Sequence, residues 1–224
     1  MIATMRPGLR AQHAAGWIAE ALSTGNPLAA LPLEIAPRGR REGERVALLA
    51  LDALAIAPCG LRVAGDVAGP VIEARLLPDG ANLPPLRHPV VTAALVGVLR
   101  EALVPGAEDP PALASLHAAL DISDHRFTQR PSGRALQAAD LGGLGFIILG
   151  PPCESPPEAV MAGTQRIMVQ KALAPVAEAA RRLGGLPAGA LLVAAGLSPP
   201  LFADAAGRIT LGFGVLGPVA ARLA

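Results

Sequence analysis

Tyrosine is absent from the 224 residues of this chain, and lysine occurs only once, at Lys171. Mechanisms that need a phenolic acid, an amine base or a Schiff base therefore have almost no candidate residue. Aromatic residues make up 2% of the sequence, whereas hydrophobic residues make up 52%. This balance predicts a core of Leu, Val, Ile and Ala with little aromatic stacking.

Cysteine is also scarce, because Cys59 and Cys153 are the only two. They form no disulfide framework and no metal-binding spacing, so we expect both to be reduced and partly buried. The net charge of +1 gives no electrostatic reason to expect nucleic acid or an anionic membrane as a partner. The sequence shows no membrane-spanning apolar run and no signal-peptide core, so we expect a soluble, cytoplasmic protein.

The spacing of hydrophobic residues predicts three helices, over 9–24, 111–119 and 170–183. Residues 27–45 are rich in Pro, Gly and charge, which predicts a connecting loop. The apolar run 46–57 fits either a strand or a buried helix, since its periodicity does not distinguish them.

From residue 60 onward, short apolar runs alternate with turn-forming residues, which is typical of strands. The predicted strands are 71–77, 90–99, 146–149, 191–194, 209–213 and 219–223. Strands interrupted by two helices indicate an α+β domain with a mainly β core.

Several segments follow one family pattern in order. Residues 90–99 resemble R-[IV]-E-x-E-[IL]-A-x-x-[LM], and residues 119–126 (Ala-Leu-Asp-Ile-Ser-Asp-His-Arg) resemble A-[LI]-E-[IV]-x-x-S-R. Residues 139–146 resemble A-D-N-x-[SA]-x-x-x-[VF], and residues 184–219 match the spacing of glycines and apolar residues in the family's C-terminal strands. Over about 40–224 the chain resembles the fumarylacetoacetate hydrolase superfamily, on its branch of 2-hydroxypenta-2,4-dienoate (2-keto-4-pentenoate) hydratases and oxalocrotonate decarboxylases.

The resemblance implies a mixed β-sandwich or β-roll core with peripheral helices. It also implies a domain organisation. Residues 1–45 would form an N-terminal helix and connecting loop, and residues 46–224 a domain of the fumarylacetoacetate hydrolase type.

The sequence departs from this family at its metal site. In the active relatives, the Glu-x-Glu pair and a third Glu bind a divalent cation that polarises a 2-keto acid. Thr92, Ala94 and Asp121 stand at these positions, and one carboxylate with one hydroxyl is a poor set for Mg²⁺ or Mn²⁺. We therefore expect no metal and no other cofactor. The lysine of the family's G-[RY]-K-[IV]-G-L segment falls near Ala50, which cannot replace it.

The densest polar group that remains is Asp121, Asp124, His125 and Arg126. We predict that it forms a retuned catalytic site, with His125 as general base beside Asp124 and Asp121. Arg126 would bind a carboxylate with its two-pronged guanidinium. The alternative is a purely structural turn at the end of a strand, in which Asp124 accepts backbone hydrogen bonds and pairs with Arg126.

Arg87 and His88 form a second, weaker polar set, because they directly precede the strand that carries metal ligands in the relatives. We predict that they also bind the substrate, although a solvated loop would explain them as well. Asp140 keeps a family position, but an Asp before Gly142 and Gly143 is an equally good turn former.

Two functions remain open at this stage. The chain is a hydratase-like lyase or isomerase that acts on or binds a small 2-keto acid without metal, or it is a non-catalytic subunit or ligand-binding module that keeps the fold. We expect a small anionic ligand and a homo-oligomer, or a hetero-oligomer with a related subunit. We expect no nucleic-acid or membrane partner.

Overall fold

A computed structural model describes residues 7–224, so the first six residues of the predicted N-terminal unit lie outside it. The helices are α1 (Pro7–Thr24), α2 (Arg40–Ala53), α3 (Arg134–Ala139) and α4 (Val169–Arg182). The strands are β1 (Gly60–Ala64), β2 (Val67–Val71), β3 (Leu76–Pro78), β4 (Val90–Leu99), β5 (Leu113–Ser123), β6 (Leu144–Cys153), β7 (Ala159–Ala162), β8 (Gln165–Met168), β9 (Leu191–Ala195), β10 (Arg208–Gly212) and β11 (Pro218–Arg222).

Seven strands form one mixed sheet in the order β2-β1-β9-β4-β5-β6-β3. β1 pairs in parallel with β9, and β3 pairs in parallel with β6, whereas the other neighbours are antiparallel. The strand pairs β7-β8 and β10-β11 make two small additional sheets. The predicted α+β class with a mainly β core and peripheral helices is therefore confirmed.

Each face of the large sheet has its own apolar layer. On one face, Leu95, Leu120 and Leu192 share a buried cluster with Leu173 and Val176 of α4. On the opposite face, alternate residues of the same strands pack with Ala47 and Leu51 of α2. A third cluster joins α1 to α2. No helix within residues 7–224 has the length and apolar character needed to cross a bilayer.

The helices predicted over 9–24 and 170–183 are confirmed as α1 and α4. The ambiguous run 46–57 is helical as far as Ala53, and the loop predicted over 27–45 is wrong from Arg40 onward. The first turn of α2 is stabilised by Glu42, which accepts a hydrogen bond from the backbone N–H of Arg38 at 2.8 Å.

The helix predicted over 111–119 is wrong, because these residues belong largely to β5. Most of β5 is buried on both faces, so its sequence lacks the apolar–polar alternation that reveals a half-exposed strand. His117 therefore lies on a strand, where its Nδ1 is 2.8 Å from the carbonyl oxygen of Gly150.

Candidate functional site

The predicted polar group begins where β5 ends at Ser123. The carboxylate of Asp124 accepts hydrogen bonds from the backbone N–H groups of Arg87, at 3.4 Å, and His88, at 2.8 Å. The backbone N–H of Asp124 donates to the carbonyl oxygen of Gly143 at 3.0 Å. The structure thus brings Arg87 and His88 to Asp124 through their backbone, while Nε2 of His88 lies 3.1 Å from the Thr128 carbonyl oxygen.

Asp140 is fully buried and connects the next two residues of the group. Its Oδ2 lies 2.9 Å from Nδ1 of His125, and its Oδ1 accepts a 2.5 Å hydrogen bond from Nε of Arg126. The backbone N–H of Arg126 donates to the same carboxylate. Because Nδ1 of His125 is bound to a carboxylate, the ring is oriented and its Nε2 is the nitrogen left for a ligand.

The guanidinium of Arg126 is largely used by the protein itself. Besides Asp140, it donates to the carbonyl oxygens of Leu144 at 2.6 Å, Asp140 at 2.8 Å and Asp124 at 3.2 Å. A guanidinium has five N–H groups, and four of them are engaged here. Arg126 therefore links the end of β5 to the turn at Asp140. One N–H group of its guanidinium remains to bind a carboxylate.

The turn after Asp140 has an unusual backbone. Leu141, Gly142 and Gly143 all have positive φ, at 53°, 65° and 73°. A leucine in this region is strained by about 1–2 kcal/mol, and such strain is often kept at functional sites. A Cβ on Gly143 would lie 2.9 Å from Cε1 of His125, so the absence of a side chain there lets the imidazole pack against the turn.

A cavity of about 330 Å³ opens beside this group. Its polar lining residues are Asn26, Arg75, Arg87, Asp124, His125 and Arg126. Arg75 stacks on Phe146, with its guanidinium carbon 4.7 Å from the ring centroid. Burial and the neighbouring charge of Arg126 lower the pKa of Arg75, while Asp124 opposes this shift. Positive charge therefore dominates the cavity wall.

A second cavity, of about 190 Å³, shares His125 with the first. Its polar lining residues are Arg62, Ser123, His125, Arg130 and Gln137. His125 thus lines both cavities.

Asp121 is not part of the larger cavity. It is buried, and its two carboxylate oxygens accept hydrogen bonds from Nε and Nη2 of Arg62 at 2.5 and 2.6 Å. Nη1 of Arg62 donates to the carbonyl oxygen of Gly142 at 2.7 Å. This bidentate pair is the best enclosed of the described ion pairs, with side chains 1% and 3% exposed.

The positions implied to hold a metal lie beside this pair. Thr92 is the cross-strand partner of Asp121, and Ala94 lies two residues further along the same face of β4. Ala94 offers no oxygen, and the Thr92 hydroxyl accepts a hydrogen bond from the N–H of Gly196 at 3.1 Å. These residues do not fit a hard divalent cation. Nowhere in residues 7–224 do three or more His, Cys, Asp or Glu side chains form a group suited to a metal.

The structure brings together Asp124, His125, Arg126 and Arg87, and it places His88 beside them and Asp121 apart. Sequence analysis missed two arginines of the site: Arg75, which lines the cavity, and Arg62, which pairs with Asp121. Arg62 had only a weak signal, because Gly60 and Val63 fit the pattern G-[RY]-K-[IV], whereas Leu61 and Arg62 depart from it.

Two solved structures of 4-oxalocrotonate decarboxylase from Pseudomonas putida G7 resemble the chain over almost its whole length. The complex with magnesium and adipate has a TM-score of 0.74 at 17% identity, covering 96% of this chain and 97% of the other. The complex with calcium and acetate has a TM-score of 0.73 at 18% identity, with coverage of 96% and 97%. No protein-family model matches the sequence, and a search of curated proteins finds no match. The likeness predicted from the sequence is therefore confirmed in three dimensions: this chain has the fold of the fumarylacetoacetate hydrolase superfamily, in the form seen in 4-oxalocrotonate decarboxylase.

Proposed function

We propose that this chain is a hydratase-like protein that binds a small 2-keto acid in the cavity beside His125 and works without a divalent metal. The proposal rests on Arg75, a cation that lines the cavity without an anionic partner among the described residues. Within residues 7–224 its guanidinium stacks on Phe146 and takes part in no described hydrogen bond or ion pair, yet it lines the cavity. A half-buried cation without a bound anion favours a carboxylate ligand.

The ligand-binding role predicted for Arg126 therefore moves to Arg75. Arg87 lines the same cavity, and its Nη2 donates one hydrogen bond to the Gly25 carbonyl oxygen at 2.9 Å. Most of its N–H groups therefore remain for a ligand. Two arginines can hold the carboxylate of a keto acid, and the second carboxylate of a dicarboxylic one. The decarboxylase of similar fold is complexed with magnesium and adipate, and adipate is a dicarboxylate, which supports an acid as the ligand.

His125 gives the site a group that can move a proton. Its Nδ1 is bound to Asp140, so Nε2 can accept a proton from the carbon beside the keto group. The electron pair of that C–H bond then forms the enolate C=C bond, and negative charge develops on the former carbonyl oxygen. The nearby guanidinium of Arg75 would stabilise this charge. Proton transfer of this kind is the common step of keto–enol isomerisation and of hydration.

Binding is tested by calorimetric titration with pyruvate and with oxaloacetate, in the presence of EDTA. Arg75→Ala should weaken binding about 10- to 150-fold, the equivalent of one lost charge-assisted hydrogen bond. The matched control is Arg134→Ala, which removes an exposed arginine that pairs with Asp66 at 2.6 Å, away from the cavity. An acid that binds Arg75→Ala as well as the unmodified protein would contradict the proposal.

A second candidate is a non-catalytic subunit or ligand-binding module. It is favoured because the polar residues bind other parts of the protein. Arg126 donates to backbone carbonyl oxygens, Arg62 pairs with Asp121, and Asp124 accepts backbone hydrogen bonds. Proton exchange at C3 of a bound keto acid, followed by NMR in D2O, separates the two. Exchange that is lost in His125→Asn supports the enzyme, and binding without exchange supports the module.

A further inference from the structure

We propose that Arg62 is a built-in cation that takes the place of a divalent metal on this sheet, and that it is the residue that keeps such metals out. The pair it forms with Asp121 is not a local contact. Arg62 lies on β1 and Asp121 on β5, and the sheet order places β9 and β4 between them. Three strand spacings of about 4.8 Å separate the two residues along the sheet, more than an arginine side chain spans, so the curl of the sheet brings them together.

The register of the sheet shows that Arg62 and Asp121 lie on the same face. Arg62 is opposite Val193 of β9, which is opposite Val96 of β4, so all three side chains are on one face. Further along the same face of β4 are Ala94 and then Thr92, the partner of Asp121. All of these residues therefore share the face of the curled sheet on which Arg62 meets Asp121.

Charge explains why the cation is retained there. Asp121 is buried, and an isolated carboxylate in such a place is strongly disfavoured unless it is paired and hydrogen-bonded. Arg62 supplies one positive charge for one negative charge and satisfies both carboxylate oxygens. A divalent cation needs more carboxylates than this face offers, and it would compete with the guanidinium for the same two oxygens. The local charge is already balanced without it.

The inference shares with the proposed function the premise that the chain works without a metal, but it concerns a different part of the site. Titration with a keto acid tests the cavity of Arg75, and titration with Mn²⁺ tests Arg62. Either can fail while the other holds.

The test restores the missing carboxylates with and without the arginine. One variant is Thr92→Glu/Ala94→Glu, and the other adds Arg62→Met. Each is titrated with MnCl₂ while thermal unfolding is followed. With Mn²⁺ at about 100 times its dissociation constant, the triple variant should gain about 5–10 °C in Tm. The double variant and the unmodified protein should show no saturable gain. Saturable Mn²⁺ binding of equal strength in the double and triple variants, or in neither, would overturn the proposal.

A second measurement needs no added carboxylate, so it remains decisive if the triple variant fails to fold. Arg62→Met, Asp121→Asn and the combination of both are compared with the unmodified protein by thermal unfolding. If Arg62 serves to neutralise Asp121, Arg62→Met should lower Tm more than the combined variant does, because it leaves an unpaired buried charge. A Tm loss in the combined variant equal to the sum of the two single losses would show that the pair is not coupled and would overturn the role assigned to Arg62.

Discussion

Oδ2 of Asp140 lies 2.9 Å from Nδ1 of His125, and the other oxygen of the same carboxylate holds Nε of Arg126 at 2.5 Å. One buried anion therefore fixes two consecutive side chains that face the cavity. This relationship, rather than a pairing of Arg126 with the carboxylate of Asp124, organises the end of β5.

Replacing Asp140 by Asn removes the charge that holds both side chains but keeps the shape of the residue. We expect the free energy of unfolding to fall by about 3–5 kcal/mol, because Arg126 is left partly buried without its anion. Urea unfolding measures this loss. Asp66→Asn is the control, since it breaks the exposed pair with Arg134 and should cost less than about 1 kcal/mol. Equal losses in the two variants would contradict the role of Asp140.

Gly143→Ala should displace His125. The new Cβ would lie 2.9 Å from Cε1 of the imidazole, and the backbone at this position has φ of 73°. Gly163→Ala is a matched control, because Gly163 also has positive φ, at 60°, but its nearest neighbour would be a Leu211 carbon at 3.5 Å. Both variants carry the same backbone strain, so their difference in unfolding free energy isolates the contact with His125. We expect Gly143→Ala to be worse by about 1–3 kcal/mol.

The thiol of Cys59 should react slowly at neutral pH. Burial raises the pKa of this thiol, and the charge of Glu73 adds to the shift. A raised pKa means less thiolate, which is the reactive form. In Cys153→Ser, where Cys59 is the remaining cysteine, the labelling rate with iodoacetamide should have its midpoint at a higher pH than that of free cysteine. Glu73→Gln should move the midpoint down, and an unchanged midpoint would remove Glu73 as a cause.

Stability should decrease in mild acid partly through Glu42. Burial alone would raise the pKa of Glu42, but hydrogen bonds from the side chain of Arg10 and the N–H of Arg38 outweigh it and leave the pKa below its usual value. A lowered folded-state pKa adds stability above the unfolded-state pKa of about 4.3, and this contribution is lost as the pH falls through the folded value.

Glu42→Gln should therefore cost up to about 1 kcal/mol at pH 7, the size expected for a pair near the surface. The gap to the unmodified protein should narrow as the pH falls below about 4.3, because the unfolded state then takes up a proton before the folded state does. Urea unfolding at a series of pH values measures the gap. A gap that is constant from pH 7 to pH 3 would mean that the ionised form of Glu42 contributes nothing.

The sequence predicted those parts of the fold whose pattern is local. The helix α1 has one apolar face, and the apolar run of β4 is bounded by turn residues, so both were found, β4 with its bounds of Val90 and Leu99. The strand β5 was mistaken for a helix at its start because Leu113 and Leu116 are three residues apart there, a spacing that also suits a helix face. Over so short a segment, the spacing of apolar residues does not separate a strand from a helix.

The candidate site could be predicted only in part. Asp124, His125 and Arg126 are adjacent in sequence, so their clustering was visible. The partnership of Arg62 with Asp121 joins residues 59 positions apart and depends on the curl of a seven-stranded sheet, which no local pattern encodes. Arg75 was missed for a different reason. Its position over Phe146 depends on β3 lying beside β6, and β4 and β5 separate these two strands in sequence.

The placement of β9 has a consequence for how the chain is made. Of the seven strands in the large sheet, β9 is the last to be synthesised, yet it fills the gap between β1 and β4. Until Leu191–Ala195 leaves the ribosome, β1 and β4 each present an unpaired edge that can pair with other chains. The sheet that brings Arg62 to Asp121 is also incomplete in that interval, because β9 joins β1 to β4. About 70 further residues must therefore be made after Asp121 before the strands around this ion pair are complete.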